Sequence, residues 1–224
     1  MPRVRIASLA VLAFAVALPT LASAQPKTDD EKAFYSFGFN LSQQLQMLNL
    51  TPTEFDQVKA GLSDGVLKKT PQADPKEFYP KFQALARDRV VANAGAEKKV
   101  GQDFLEKVSK EKGATKTASG IVIQTIKEGT GEMPKATDKV KVHYTGTLID
   151  GTVFDSSVQR NAPATFPLNG VVKCWTEGLQ LIKVGGKAKL ICPSDLAYGD
   201  QGRPPQIKPG STLVFEVELL EIVK

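Results

Sequence analysis

The chain holds one histidine, His143, and two cysteines, Cys174 and Cys192. That inventory is too thin for a zinc site of the usual four-ligand kind, and no metal or cofactor is expected. A hydrolytic triad would have to use His143, which strand alternation puts on the face opposite Tyr144, and no serine stands in a nucleophile-elbow context. Val184-Gly185-Gly186-Lys187 lacks the spaced glycines of a phosphate loop, and Gly129 and Gly131 are too isolated for a dinucleotide fingerprint. Conventional acid–base or covalent catalysis is therefore poorly supplied. What remains is a set of rings near turns: Tyr144, Phe154, Phe166, Trp175, Tyr198 and Phe215. Each alone reads as core, whereas together they could line one concave apolar site.

The elements that would position these rings have a period of two. Val140, Val142 and Tyr144 alternate with Lys141, His143 and Thr145, and Leu213, Phe215, Val217 and Leu219 alternate with Val214, Glu216 and Glu218. Segments 121–126, 163–168 and 187–192 are further strand candidates, and Asp150-Gly151 and Gly185-Gly186 mark turns between strands. One short helix fits 175–182. The expected architecture of this half is an antiparallel sheet with a helix on one face, an α+β domain.

Before about Gly113 the spacing is helical instead. Phe34, Phe37, Leu41, Leu45 and Leu48 form one apolar face, and Phe55, Val58, Leu62 and Val66 form a second. A third stripe begins at Phe78, Phe82 and Leu85, fades through an Ala-rich centre and returns at Val100, Phe104 and Val108. Thr28 with Glu31, Thr51 with Glu54 and Asp74 with Glu77 are spaced as capping boxes, the last two with proline at the first helical position. The third helix is expected over 76–112, about 55 Å at 1.5 Å per residue. Asp103 with Lys107 and Glu106 with Lys110 support it at i,i+4 spacing, and Gly95 weakens its middle. With no partner helix of matching length, it is expected to stand out in solvent and carry a domain at its end. The first two helices are too small to build a core alone, so a homodimer through them is expected in preference to a monomeric hairpin on the root of the third.

Residues 1–24 read as an export signal: Arg3 and Arg5, an apolar run over 6–18, then Ala22-Ser23-Ala24 as a cleavage pattern. The run is too short to span a bilayer, and no later segment is apolar enough. The mature protein is thus expected to be soluble and periplasmic, with the cell surface or the medium as further destinations. The formal charge of +5 includes the two leader arginines, and the small excess that remains gives no reason to invoke nucleic acid. In an oxidising compartment Cys174 and Cys192 are either bridged or two buried thiols, and export favours the bridge. The implied division is a leader at 1–24, a helical region at 25–75, a long helix at 76–113 and a sheet domain at 114–224.

Five segments occur in order in the sheet half. They are Val142-His143-Tyr144-Thr145-Gly146 with Asp150-Gly151-Thr152-Val153-Phe154-Asp155-Ser156-Ser157, then Trp175-Thr176-Glu177-Gly178, Val184-Gly185-Gly186-Lys187, Leu196-Ala197-Tyr198-Gly199 and Leu213-Val214-Phe215-Glu216-Val217-Glu218-Leu219. Residues 119–224 thereby resemble the FKBP-type peptidyl-prolyl cis-trans isomerases. The helical half is similar, less specifically, to the dimerisation arm of the exported bacterial macrophage infectivity potentiator-like proteins. The resemblance implies a proline ring seated on Trp175 and walled by Tyr144, Phe154, Phe166, Val171 and Phe215. It implies substrate carbonyls held by the Val172 amide and the Tyr198 hydroxyl, Asp155 orienting the bound amide, and Ile207 closing the rim. The implied partners are proline-containing unfolded polypeptides, a second copy of the chain, and macrolides of the FK506 and rapamycin type as inhibitors. The competing reading is a dimeric holdase chaperone that uses the cleft between its arms. Three departures from the family pattern stand out. Ala164 replaces a common aromatic and should open one wall, the stretch from Phe166 to Trp175 is short, leaving Val171 or Val172 as the amide donor, and Arg203 stands in the loop over the pocket.

Overall fold

A computed structural model describes residues 25–223. The leader assigned to residues 1–24 lies outside the described residues. Two compact units are distinguished, one ending at Phe39 and one running from Asn40 to the C-terminus. Helix α1 (Asp29–Gln43) opens the described chain, followed by α2 (Pro52–Val66) and α3 (Pro75–Ser109). The caps explain where they begin. The Glu31 amide donates to the Thr28 hydroxyl at 3.2 Å while the Glu31 carboxylate accepts from the Thr28 amide at 3.0 Å. Thr51 and Glu54 form the same reciprocal pair at the start of α2, which satisfies amides that have no intrahelical partner. The third capping box does not form. Asp74 accepts from the Lys76 amide at 2.9 Å, and the Glu77 carboxylate pairs instead with Lys81 at 3.0 Å.

The sheet has seven strands, all antiparallel, in the order β1-β2-β6-β7-β3-β4 with β5 also on β3. They are β1 (Ala114–Lys116), β2 (Val122–Lys127), β3 (Lys139–Leu148), β4 (Val153–Ser156), β5 (Ala164–Pro167), β6 (Lys187–Cys192) and β7 (Leu213–Val223). The central pair β3–β7 runs from Lys139 opposite Val223 to Leu148 opposite Leu213. The sequence missed β1 and β4, both too short to show a period. The expected helix at 175–182 is a single α-helical stretch, α4 (Lys173–Gly178), ending in a 3-10 turn.

Alternation gives the sheet two apolar faces. One carries Val140, Val142, Leu190, Val217 and Leu219, all fully buried, and packs on α4. The disulfide between Cys174 and Cys192, Cα atoms 5.7 Å apart, ties α4 to β6. The other face carries Val122, Ile191 and Val214 and is covered by Phe104, Leu105 and Val108 of α3.

That second contact corrects the expectation of a free-standing third helix. The buried stripe of α3 is Ala94, Gly101, Leu105 and Val108, at intervals of seven, four and three, whereas Val100 is half exposed. The two small residues let the sheet domain approach. A Cβ on Gly101 would lie 2.1 Å from the Thr212 hydroxyl oxygen, and one on Gly210 would lie 2.3 Å from the Ala94 carbonyl oxygen. Lys98 adds ion pairs to Asp195 at 2.7 Å and Asp200 at 2.8 Å. The expected charge pairs along this stretch, Asp103–Lys107 and Glu106–Lys110, are not among the ion pairs of the described residues. The first part of α3 packs on the preceding chain, where Arg89 pairs with Glu54 at 2.5 Å and Asn93 donates to the Met47 carbonyl at 2.9 Å.

Candidate active site

Strand β3 bends where Gly146 faces β4, and the register shifts between Gly146 and Thr147. A Cβ at Gly146 would lie 2.6 Å from the Phe154 ring and 3.0 Å from the Phe215 ring. Glycine there makes the room in which two rings meet, a use to which bulged strands beside sites are commonly put. The motif glycine and the ring cluster are thus one feature.

Trp175 is the centre of that cluster. Its ring stands edge-to-face with Tyr144 at 5.1 Å, Phe215 at 5.3 Å and Phe166 at 5.7 Å, and Phe154 meets Phe215 in the same way at 5.6 Å. Such perpendicular pairs stabilise rings without stacking them shut. Trp175 lies in the first turn of α4, next to the cysteine that the disulfide ties to β6. The rings enclose a hollow of about 560 Å³ that opens to solvent, and its lining includes Gly170 and Gln206 besides residues named from the sequence.

All ten expected site residues border this hollow: Tyr144, Phe154, Asp155, Phe166, Val171, Val172, Trp175, Tyr198, Ile207 and Phe215. Arg203 borders it too, as its loop position suggested. Ala164 does not. It pairs with Val142 and packs against the core, leaving Phe166 as the wall contributed by β5. His143 points away from the rings, its Nδ1 3.1 Å from the Ser157 hydroxyl.

Arg160 is the functional neighbour that sequence reasoning missed. Its guanidinium pairs with Asp155 and donates to the Tyr144 hydroxyl at 3.2 Å, while Tyr144 donates to Asp155. Burial alone would raise the Asp155 carboxyl, but the hydrogen bonds from Tyr144 and Arg160 outweigh it and hold it below the ordinary range. The Tyr144 hydroxyl is pushed up, first by burial and then by its bond to Asp155. Asp155 is therefore an anion and Tyr144 a neutral donor across the neutral range. The signal for Arg160 was its place five residues after Asp155, a spacing that means nothing until β4 turns back on itself.

The indole Nε1 of Trp175 is buried without an acceptor among the described residues. The Val172 amide and the Tyr198 hydroxyl, both on residues that line the hollow, also have no partner there and could donate to a ligand that brings carbonyl oxygens.

Comparison with known proteins agrees with this geometry. A family model described as FKBP-type peptidyl-prolyl cis-trans isomerase matches residues 130–220, and one described as the domain amino-terminal to it matches 30–124. The chain is 42% identical over 203 residues to the FKBP-type 22 kDa peptidyl-prolyl cis-trans isomerase of Escherichia coli, covering 88% of this chain and 97% of that protein. It is 34% identical over 227 residues to the outer membrane protein MIP of Legionella longbeachae, covering 97% and 96%. Among solved structures, FkpA from Escherichia coli superposes with a TM-score of 0.67 at 39% identity, covering 88% of this chain and 97% of that one.

Proposed function

The chain belongs to the FKBP-type peptidyl-prolyl cis-trans isomerases, and we propose that it turns X–Pro bonds of exported polypeptides in the hollow built around Trp175. As an enzyme of that family it assists folding by speeding a rotation whose barrier is ~18–20 kcal/mol and which takes tens to hundreds of seconds unaided. The rotation needs neither a leaving proton nor a covalent intermediate. Twisting the amide localises the nitrogen lone pair and lowers the carbonyl dipole. A water-poor wall of rings disfavours the planar, polar ground state more than the twisted one, so the transition state is bound better than the substrate.

Each of the ten expected residues has a part in this reading. The proline ring rests on Trp175 between Tyr144, Phe154, Phe166, Val171 and Phe215. The Val172 amide and the Tyr198 hydroxyl hold carbonyls on either side of the proline, Ile207 closes the rim, and Asp155, kept ionised by Arg160 and Tyr144, orients the bound amide. The observation that carries this assignment is the gathering of edge-to-face rings and the two partnerless donor groups of Val172 and Tyr198 around one hollow open to solvent. The same walls would admit a macrolide of the FK506 or rapamycin type. Cis-to-trans conversion of a short proline peptide, followed with and without such a macrolide, is the test. A folded protein that leaves the uncatalysed rate unchanged refutes the reading.

The helical region, 25–75, is read as a homodimerisation element, the long helix 76–113 as its link, and 114–224 as the isomerase domain. The support is the apolar surface α1 and α2 leave uncovered, including Phe34 at 77% and Leu62 at 58% exposed, together with a groove lined by Leu48, Val58, Phe82 and Leu85. No helix among the described residues is long and apolar enough to cross a membrane; the reading of an exported, periplasmic protein rests on the leader pattern of residues 1–24. Sedimentation of the mature chain should give twice its mass, and a monomer at all concentrations would remove the dimer.

A further inference from the structure

The hollow is bordered by two charged side chains in opposite circumstances, Asp155 and Arg203. Asp155 is matched by Arg160 and by the Tyr144 hydroxyl. Arg203 is exposed and has no ion pair or side-chain hydrogen bond among the described residues. The carboxylates of the loop leading to it, Asp195 and Asp200, are both taken by Lys98. A ring-walled hollow bordered by a matched anion therefore also carries an unmatched cation.

The backbone beneath Arg203 is held. Its amide donates to the Ile207 carbonyl at 2.7 Å, and its carbonyl accepts from the Ile207 amide at 3.1 Å. Gly202, at φ +61°, sits so close that a Cβ would lie 2.5 Å from the Ile207 carbonyl oxygen. Gly210, at the end of the same loop, is pressed on Ala94 of α3. Arg203 thus projects from a braced rim whose next lining residues, Gln206 and Ile207, carry no charge.

Resting on the isomerase reading above, we propose that Arg203 is a specificity-determining residue that favours an acidic side chain immediately before the proline. With the ring on Trp175, the residue after proline lies toward Val172. The residue before it runs along the wall from Tyr198 to Ile207, and its side chain leaves the hollow past Arg203. A carboxylate there meets the unmatched guanidinium, and an ammonium is repelled. The pair forms at an exposed rim, so the advantage is modest, roughly two- to five-fold. It weakens with salt, because the screening length is about 10 Å at 0.1 M ionic strength.

The test uses the full mature chain and peptides that differ only before proline, carrying Glu, Gln, Leu or Lys. For each protein variant, kcat/KM is divided by that variant's value on the Leu peptide. The expected order is Glu above Gln above Lys, with the Glu-to-Gln ratio falling toward one as salt is raised. Arg203→Lys should keep the order, Arg203→Gln should bring the ratio to one, and Arg203→Glu should invert it. A wild-type Glu-to-Gln ratio of one, or a ratio that Arg203→Gln leaves unchanged, overturns the proposal. Catalysis of the Leu peptide separates the two levels. If the wild type accelerates no peptide, the isomerase reading itself fails; if it accelerates Leu but shows no charge preference, only the role of Arg203 falls.

Discussion

The helical region and the sheet domain both space large apolar side chains regularly, yet they dispose of them in opposite ways. Neither α1 nor α2 buries a single residue, and Phe34, Phe37, Leu62 and Val66 face solvent. In the sheet, Val140, Val142, Leu190 and Leu219 are wholly covered. A helix closes its own backbone hydrogen bonds and can exist with one face still uncovered. A strand cannot, because its amides and carbonyls need neighbours, and pairing them stacks the side chains into a core. The difference teaches that periodicity identifies an apolar face without saying what covers it. For the sheet the cover is α4 on one side and α3 on the other, and for the arm we assign it to a second copy.

Truncations sharpen this contrast most. Leu190→Ala should cost about 2–5 kcal/mol in denaturant unfolding, as for other fully buried leucines, at any protein concentration. Leu62→Ala should be nearly silent at high dilution and destabilising only where copies associate. Equal losses at both sites under dilute conditions would break the comparison. The bridge between Cys174 and Cys192 comes next. Reducing it should lower stability by about 3 kcal/mol for a loop of this size, read as a shift of the urea midpoint, with little effect on the arm.

Within the hollow the expected effects are smaller. Asp155→Ala and Tyr198→Phe should each reduce kcat/KM on a short peptide by roughly three- to ten-fold, the worth of one hydrogen bond, with the thermal midpoint of Tyr198→Phe unchanged. Rates equal to wild type would separate these residues from the reaction. Acid should distinguish the regions again. Glu54 is lowered to about 2, chiefly by its hydrogen bond from Arg89 and then by the Thr51 amide. Because its folded value lies below the ordinary 4.5, its contribution is complete above that pH and is lost as pH falls toward 2. Hydrogen exchange between α2 and α3 should therefore quicken in that window, and Glu54→Gln should abolish the change. Activity itself should stay flat from about pH 6 to 9, since an ionised Asp155 and a neutral Tyr144 do not titrate there. A bell-shaped profile would point to a proton transfer this site does not supply.

Much of the site was legible because its residues sit in motifs tied to turns, and the turns set which way the rings point. Tyr144 falls on the core face of β3 by alternation, and Trp175 falls at the start of a short helix just after the stretch that carries Val171 and Val172. Arg160 was not legible, since its contact with Asp155 depends on how the chain folds back after β4. The stripe of α3 was legible only in part. Phe104 and Val108 do pack on the sheet, but Val100 is half exposed while Gly101 and Leu105 are buried, and a glycine contributes no apolar signal to a periodic reading.

By itself the sequence determined the change from helical to strand period near residue 113, the caps at Thr28 and Thr51, the strands β3, β6 and β7, and the ring set of the hollow. These follow from local backbone preference and from alternation, which neighbouring residues along the chain decide among themselves. Only the tertiary structure decided that α3 covers the second face of the sheet, that Cys174 meets Cys192, that Arg160 neutralises Asp155 and that Arg203 is left unmatched. Those outcomes depend on distances between segments far apart in the chain, where the approach of two small residues or the diversion of two carboxylates to Lys98 settles which contacts are made.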